Sequence, residues 1–465
     1  MTHRRSAMTL TSSLIETCRS KLPAQVNDDA IAAARRCLLD SLAAAYAAYG
    51  EAPIEMLRGE TTEGSAKGEA SVIGYGDRVR PSDAALVNGT MISLQLFDDN
   101  QEQMRGHPSA PLWPAVLALA EARDVSLHEA LRIFVIGYEV ECRLGLVLNP
   151  SHYEIGWHAT ATQGLVAATV ASSLLLELDE TRMSHALGIA ASMASGIRRN
   201  FGTMTMSFHS GLAASNGVRA ARLAARGFIA DPQIFDGAMS FGAVFSREWS
   251  PDALAENLKA WGAPFMIVSP GPTFKLYPCG RPTLFGVDCA VELQRKHQVK
   301  PADVRRITCD VSYMYPRTLI HSRPSNGLQG KTSLEYCVAT TLLDGRPVLA
   351  SFTDEAVRRP EIARLIGITE VRVPPELSED VPEVRKAPFE QPVTVTIETR
   401  DGRVYSETVR HQKGSPWNPA SDSELRQKFV DCALPHLARE RVDAILECLG
   451  RDVKTRELMK LLNAG

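Results

Sequence analysis

A chain of 465 residues, 45% hydrophobic and 23% charged, is long enough for two or three domains and has the composition of a globular protein with a large core. A net charge of −3 and a pI near 6.4 give no reason to expect nucleic acid as a partner. The longest apolar runs, such as Leu165 to Leu178, are interrupted by Ser172 and Ser173 and are too short to span a bilayer. The nine cysteines show no zinc or redox spacing, and their odd number argues against a full disulfide framework. No Walker loop is present, and no strand leads into Gly-x-Gly-x-x-Gly, so nucleotide chemistry lacks support. The basic start, Met1 to Ser6, is followed by no apolar signal core, and the expectation is a soluble, cytoplasmic protein.

In chain order, residues 8 to 48 contain two helical stretches, the second from Asp29 to Tyr49 with Ile31, Ala34, Leu38, Leu42 and Ala45 at helical spacing. Met56 to Ser71 reads as a surface loop, and Val72 to Gly76 as a short extended piece before Pro81 opens a helix. The segment Phe97 to Ser109 is polar, crowded with titratable groups and flanked by apolar helices on both sides. Such a loop, held by rigid neighbours and reachable by water, suits function. His107 is its natural proton carrier, because its ordinary pKa lies near neutrality. The competing reading is a capping loop whose carboxylates bind backbone amides.

Ser126 and Glu129 form a capping-box pattern ahead of an apolar helix to Leu148, on which Tyr138 and Glu139 read more simply as packing residues. His158 precedes an Ala-rich helix reaching Leu178, with Thr160 and Thr162 in its first turn. It reads either as a cap or as part of an anion pocket at the positive helix end. Thr181 to Arg199 is predicted as one helix, Phe201 to Gly211 as a loop, and Leu212 to Gly227 as a small-residue helix. After about residue 265 the composition changes. Strands are predicted at Val304–Val311 and Val371–Val373, and a hairpin runs from Val393 to Val409 through Asp401-Gly402. Helices at Arg281–Lys296, Ser333–Leu343 and Asp354–Ile366 accompany them. A second capping box, Ser421 to Glu424, restarts helix. The fold class is therefore mainly α with an α+β second domain. Residues 1–268 form the first part of a helical domain, 269–412 an α+β domain, and 413–465 helices returning to the helical body.

Read together, Leu38-Leu39-Asp40-Ser41-Leu42, Asn88-Gly89, Phe97-Asp98-Asp99, His107-Pro108-Ser109, Gly137-Tyr138-Glu139, Gly156-Trp157-His158, Phe208-His209-Ser210-Gly211, Lys275-Leu276-Tyr277-Pro278 and Tyr336 ahead of Leu342-Leu343-Asp344-Gly345 resemble, in this order, the MmgE/PrpD family. The family includes 2-methylcitrate dehydratase, cis-aconitate decarboxylase and iminodisuccinate epimerase. The resemblance spans nearly the whole chain and implies an all-helical domain, an α+β lid domain, a homodimer, and no metal or organic cofactor. It also implies an active-site cleft with His107, His158, Lys275 and Tyr336 around a small carboxylic acid. Asn100, Arg105, Thr160 and Arg281 join them as substrate-binding candidates. Three positions depart from the family: Leu96 where relatives often carry an acid, Met206 where many carry a lysine, and Gly280 in place of a histidine of the decarboxylase.

The implied chemistry is removal of a proton beside a carboxylate, in which His107 or Tyr336 moves the proton while Lys275 and Arg281 clamp carboxylates. Loss of a β-hydroxyl then gives a 2-methylcitrate dehydratase-like lyase, and return of the proton on the other face gives an epimerase. An apolar Met206 counts against a tricarboxylate as charged as methylcitrate. Two readings from other classes stand beside these: a catalytically inactive binding protein, and a metal-dependent hydrolase built on Asp98, Asp99 and His107.

Overall fold

The computed structural model describes residues 8–63 and 68–463. The basic start, residues 64–67 of the expected surface loop, and the last two residues of the C-terminal helices lie outside the described residues.

The helical body is built from α1 (Asp28–Ala47), α2 (Pro81–Leu94), α3 (Ser109–Arg123), α4 (Leu127–Leu148), α5 (Ala159–Leu175), α6 (Glu180–Met193) and α7 (Met204–Ala225). Side-chain caps start several of them: Asn27 accepts from the Ala30 amide, Ser126 from Glu129 and Asp179 from Arg182. Helices α2 and α7 cross closely because small residues face each other; a Cβ on Gly89 would stand 2.7 Å from the Gly211 Cα. None of the described helices is long and apolar enough to cross a membrane.

Five expectations are corrected here. The loop expected from Met56 overlaps a helix, Ala52–Thr62, and Val72 to Gly76 is the turn of a small ribbon pairing Ala70–Ser71 with Arg78–Val79. Helix α6 stops at Met193, and Arg198–Asn200 is a separate 3-10 turn. Helix α7 begins at Met204, so most of the expected 201–211 loop is helical. The helix expected over Asp354–Ile366 breaks into Asp354–Val357 and Pro360–Gly367, because Pro360 cannot continue a preceding helix and instead begins one.

The α+β unit carries α8 (Arg281–His297), β1 (Val304–Asp310), α9 (Leu334–Asp344), β2 (Thr369–Arg372), β3 (Val393–Thr399) and β4 (Val404–Val409). The sheet order is β2-β1-β3-β4, with β1 and β2 parallel and the other pairs antiparallel. Alternation along β3 buries Val393, Val395 and Ile397 under the helices. On the other face Thr394 meets Thr408 at 2.8 Å and Thr396 meets Ser406 at 2.9 Å. The hairpin turns as expected, with Gly402 at φ 85°.

Apolar residues gather in two clusters, one drawn from residues 14–274 and 420–462, the other mainly from residues 277–397. The first includes α10 (Asp422–Ala433), started by the complete Ser421/Glu424 capping box. From α10 the side chain of Lys428, 6% exposed as a residue, reaches into the body. Its ammonium donates to Asp40 Oδ1 on α1 at 2.6 Å, to the Phe97 carbonyl and to the Lys275 carbonyl at 2.9 Å. It also lies 4.0 Å from the centre of the Phe97 ring. One buried cation thus joins four stretches of chain.

Beside this knot Asp99 takes the Ser109 amide at 3.3 Å and the Ser109 hydroxyl at 2.9 Å, fixing the start of α3. Burial first, then the charges of Asp40 and Asp98, push its carboxyl up to about 8, so it is largely protonated at neutral pH.

Two outcomes are expected. Lys428→Met should destabilise the fold by about 3–5 kcal/mol in urea titrations, because it strands Asp40 without its cation, and adding Asp40→Asn should recover a large part of the loss. For Asp99 the folded pKa lies above the unfolded value of 3.8, so its stabilising contribution is full at low pH and is lost as pH rises from there to about 8. Thermal midpoints measured across that window should fall less steeply in Asp99→Asn than in the wild type; equal slopes would refute the protonated assignment.

Candidate active site

The loop between α2 and α3 is held from three sides before any ligand is considered. Asn100 pairs with Thr273 through both main-chain bonds, at 2.9 and 2.7 Å. The Asn100 side-chain amide donates to the Gly106 carbonyl at 2.9 Å, and Asn149 on the far side donates to the carbonyls of Gln103 and Met104. The His107 amide donates to Thr160 Oγ1 at 3.0 Å, in the first turn of α5. Gly106 keeps this approach close, since a Cβ there would stand 3.0 Å from the Thr160 nitrogen and Oγ1. Leu96 and Arg105 sit at φ 51° and 53°, left-handed values that cost non-glycine residues free energy and persist only where the surroundings impose them.

This scaffold aims His107 into a cleft between the two clusters. The helical body contributes Leu96, Asn100, Arg105, His107, His158 and Met206 to its wall. From the α+β side come Gly280, Arg281, Leu319 and Phe389.

The His107 Nδ1 lies 2.9 Å from the Asp99 carbonyl oxygen and 3.1 Å from Asp98 Oδ2. Lys275, wholly buried, donates to the other oxygen of Asp98 at 3.3 Å. Burial pushes the Asp98 carboxyl up, but the charges of His107 and Lys275 and their hydrogen bonds outweigh it and hold Asp98 well below the usual carboxylate range. A carbonyl and an ionised carboxylate can only accept, so Nδ1 must carry the proton. In neutral His107 the basic lone pair is therefore on Nε2, the ring nitrogen left for the cleft.

His158, the residue just before α5, faces His209 of α7 with 3.1 Å between their Nδ1 atoms. One of these nitrogens donates and the other accepts, so the two rings hold opposite tautomers. Burial, followed by the charges of His209, His107 and Arg198, drives His158 well below the ordinary histidine range. It is a neutral hydrogen-bonding group, not the cation that an anion pocket would want.

Arg281 is the first residue of α8. It donates to Glu102 Oε2 at 2.6 Å and to Glu390 Oε1 at 2.5 Å, so two protein carboxylates already answer its charge. Burial, countered by Arg281 and reinforced by Glu390, pushes Glu102 up to about 6, and its Oε1 has no hydrogen-bond partner. Arg105 is different. It donates through Nη2 to the Arg385 carbonyl at 3.3 Å, its Nη1 is buried without a partner, and no ion pair forms on it among the described residues.

The expected residues thus divide. His107, His158, Asn100, Arg105 and Arg281 line the cleft. Thr160 supports the loop from behind, and Lys275 clamps Asp98 instead of a substrate carboxylate. Tyr336 lies outside the cleft; its hydroxyl donates to the Ser351 carbonyl and its ring packs on Phe352. Asp98 and Asp99 turn apart, one to His107 and the other to Ser109, so the donor set of a metal-dependent hydrolase is not assembled. Reading the sequence alone missed Glu102, Glu390 and His209 as parts of the site. For His209 a signal existed: Met206 and His209 are three apart, hence on one face once the segment is taken as helix. All three departures from the family, Leu96, Met206 and Gly280, line the cleft.

Comparison with known proteins agrees with this architecture. The MmgE/PrpD N-terminal domain matches residues 14–253 and the MmgE/PrpD C-terminal domain residues 277–450. The chain is similar to cis-aconitate decarboxylase of Mus musculus, at 28% identity over 90% of this chain and 86% of that one. It is similar to cis-aconitate decarboxylase of Aspergillus terreus, at 26% over 94% of this chain and 92% of the relative. A third similarity is to 2-methylcitrate dehydratase of Cupriavidus necator, at 26% over 81% and 80%. These relatives are lyase-type enzymes, and with both domains matched across the helical body and the α+β unit, the chain belongs to the MmgE/PrpD family of enzymes.

Proposed function

We propose that this enzyme is a lyase of the dehydratase kind, acting on a small carboxylic acid by removing a proton from the carbon beside a carboxylate. The observation that carries the reading is the His107 Nε2, left basic in the cleft by the grip of Asp99 and Asp98 on Nδ1. As a proton leaves carbon for Nε2, the imidazolium that forms is stabilised by the ionised Asp98, which Lys275 keeps in place. The electron pair of the C–H bond becomes the new C=C bond, and the bond from the neighbouring carbon to its hydroxyl oxygen breaks. Glu102, with a free Oε1 and a raised pKa, supplies the proton with which the hydroxyl leaves as water. His158 offers a neutral hydrogen bond to the substrate.

The test is proton NMR in heavy water over a panel of hydroxy acids, cis-aconitate, 2-methylcitrate and iminodisuccinate. A new vinyl signal is expected. Deuterium entering an unchanged skeleton would instead mean epimerase chemistry. His107→Ala should lower kcat by about 10²–10⁴-fold with the fold intact; unchanged turnover would remove His107 from the chemistry, and no turnover in the wild type over the whole panel would favour a binding protein. Tyr336→Phe should leave kcat close to wild type while costing about 1 kcal/mol of stability, from its lost bond to Ser351.

A further inference from the structure

The charges around the cleft define how many carboxylates it can hold. Lys275 is spent on Asp98, and Arg281 on Glu102 and Glu390. Lys331 is buried next to the wall residue Thr332 and gives its protons to the carbonyls of Gln95 and Pro278. Arg198 lies behind the wall, 3.7 Å from the centre of the Tyr153 ring, and donates to the Tyr153 carbonyl and to Thr318 Oγ1. His158 is held neutral.

That leaves Arg105. Its Nη1 is buried, lacks an acceptor, and belongs to a side chain that lines the cleft. A buried guanidinium N–H without a partner is costly, and a ligand carboxylate satisfies it with a charge-assisted bond. Arg281 on the wall and Arg198 behind it each keep a buried Nε without an acceptor as well, but two carboxylates already meet the charge of Arg281, and Arg198 does not line the cleft. The rest of the wall is largely apolar. Leu96, Met206 and Phe201 face inward from the helical body, and Leu319, Pro282 and Phe389 from the α+β unit. An anion placed against these six side chains would lose its water without gaining a partner.

Resting on the proton-abstraction reading above, we propose that the substrate carries a single carboxylate, seated on Arg105, and a short apolar substituent lying against Leu96 and Met206. The cleft thereby selects against di- and tricarboxylates, and Met206 is a specificity-determining residue: a cation at that position would give a second carboxylate its counter-charge.

The test uses unreactive probes, so that binding is read apart from turnover. Butanoate and 4-methylpentanoate stand for the monocarboxylates, glutarate for the diacids and tricarballylate for the triacids. Dissociation constants are measured by calorimetry on the wild type, Arg105→Gln and Met206→Lys, each checked for its fold by circular dichroism. In the wild type, 4-methylpentanoate should bind at least about tenfold more tightly than tricarballylate. Arg105→Gln should weaken it by about 10–100-fold, the worth of a charge-assisted bond. Met206→Lys should improve glutarate binding and weaken 4-methylpentanoate, reversing their order. Tighter binding of tricarballylate by the wild type, or monocarboxylate binding indifferent to Arg105→Gln, would overturn the proposal. Failure of the lyase reading is registered separately, as absence of vinyl product and of solvent deuterium with hydroxylated monocarboxylates that do bind.

Discussion

The ammonium of Lys428 is the contact on which the site geometry depends. It draws together Asp40 of α1, the Phe97 carbonyl at the start of the polar loop, and the Lys275 carbonyl, three stretches that are far apart in sequence. A buried charge is tolerated only when its hydrogen bonds are made, so each partner fixes the others. Because Phe97 precedes Asp98, and Lys275 is itself the partner of Asp98, the knot sets where that carboxylate can stand. The described C-terminal helices contribute no residue to the cleft wall and reach the site through Lys428.

From there the order of constraint runs outward. His107 and Lys275 together favour an ionised Asp98; Asp98 and the Asp99 carbonyl hold the proton of His107 on Nδ1; and Nε2 is left as a base. The neighbouring Asp99, without a cation of its own, takes the opposite state and is neutral. Two adjacent carboxyl groups thus carry different charges because they face different environments. On the α+β wall the same principle disarms Arg281, which two glutamates neutralise, while Arg105 of the helical body forms no ion pair among the described residues.

Much of the fold was legible in local pattern. The period-2 alternation of Val393 to Thr399 and the Asp401-Gly402 turn specify the hairpin, and Ser421 with Glu424 specifies the start of α10, because these signals lie within a few residues of one another. Helix α7 was harder. Thr203, at the N-cap position before it, makes no side-chain cap, and Phe201 to Gly211 mixes glycine, threonine and serine in a way that reads as loop. The polar loop and His107 were recognisable from their crowding between apolar helices. The duties of the other charged residues were not, since an ion pair such as Arg281 with Glu390 spans 109 positions and leaves no periodic trace. Tyr336 shows the converse: its family resemblance pointed to the cleft, while a backbone carbonyl at Ser351 holds its hydroxyl elsewhere.

The central claim is that the protein sets the tautomer of His107 before any substrate arrives. It is tested most directly by nitrogen-15 NMR of the histidine ring, assigned by comparison with His107→Gln. At a pH where the ring is neutral, the proton should reside on Nδ1, with Nε2 showing the shift of an unprotonated nitrogen. Lys275→Met, by releasing Asp98, should weaken that preference. A proton found on Nε2 in the wild type would contradict the account, because the cleft would then meet a hydrogen-bond donor in place of a base.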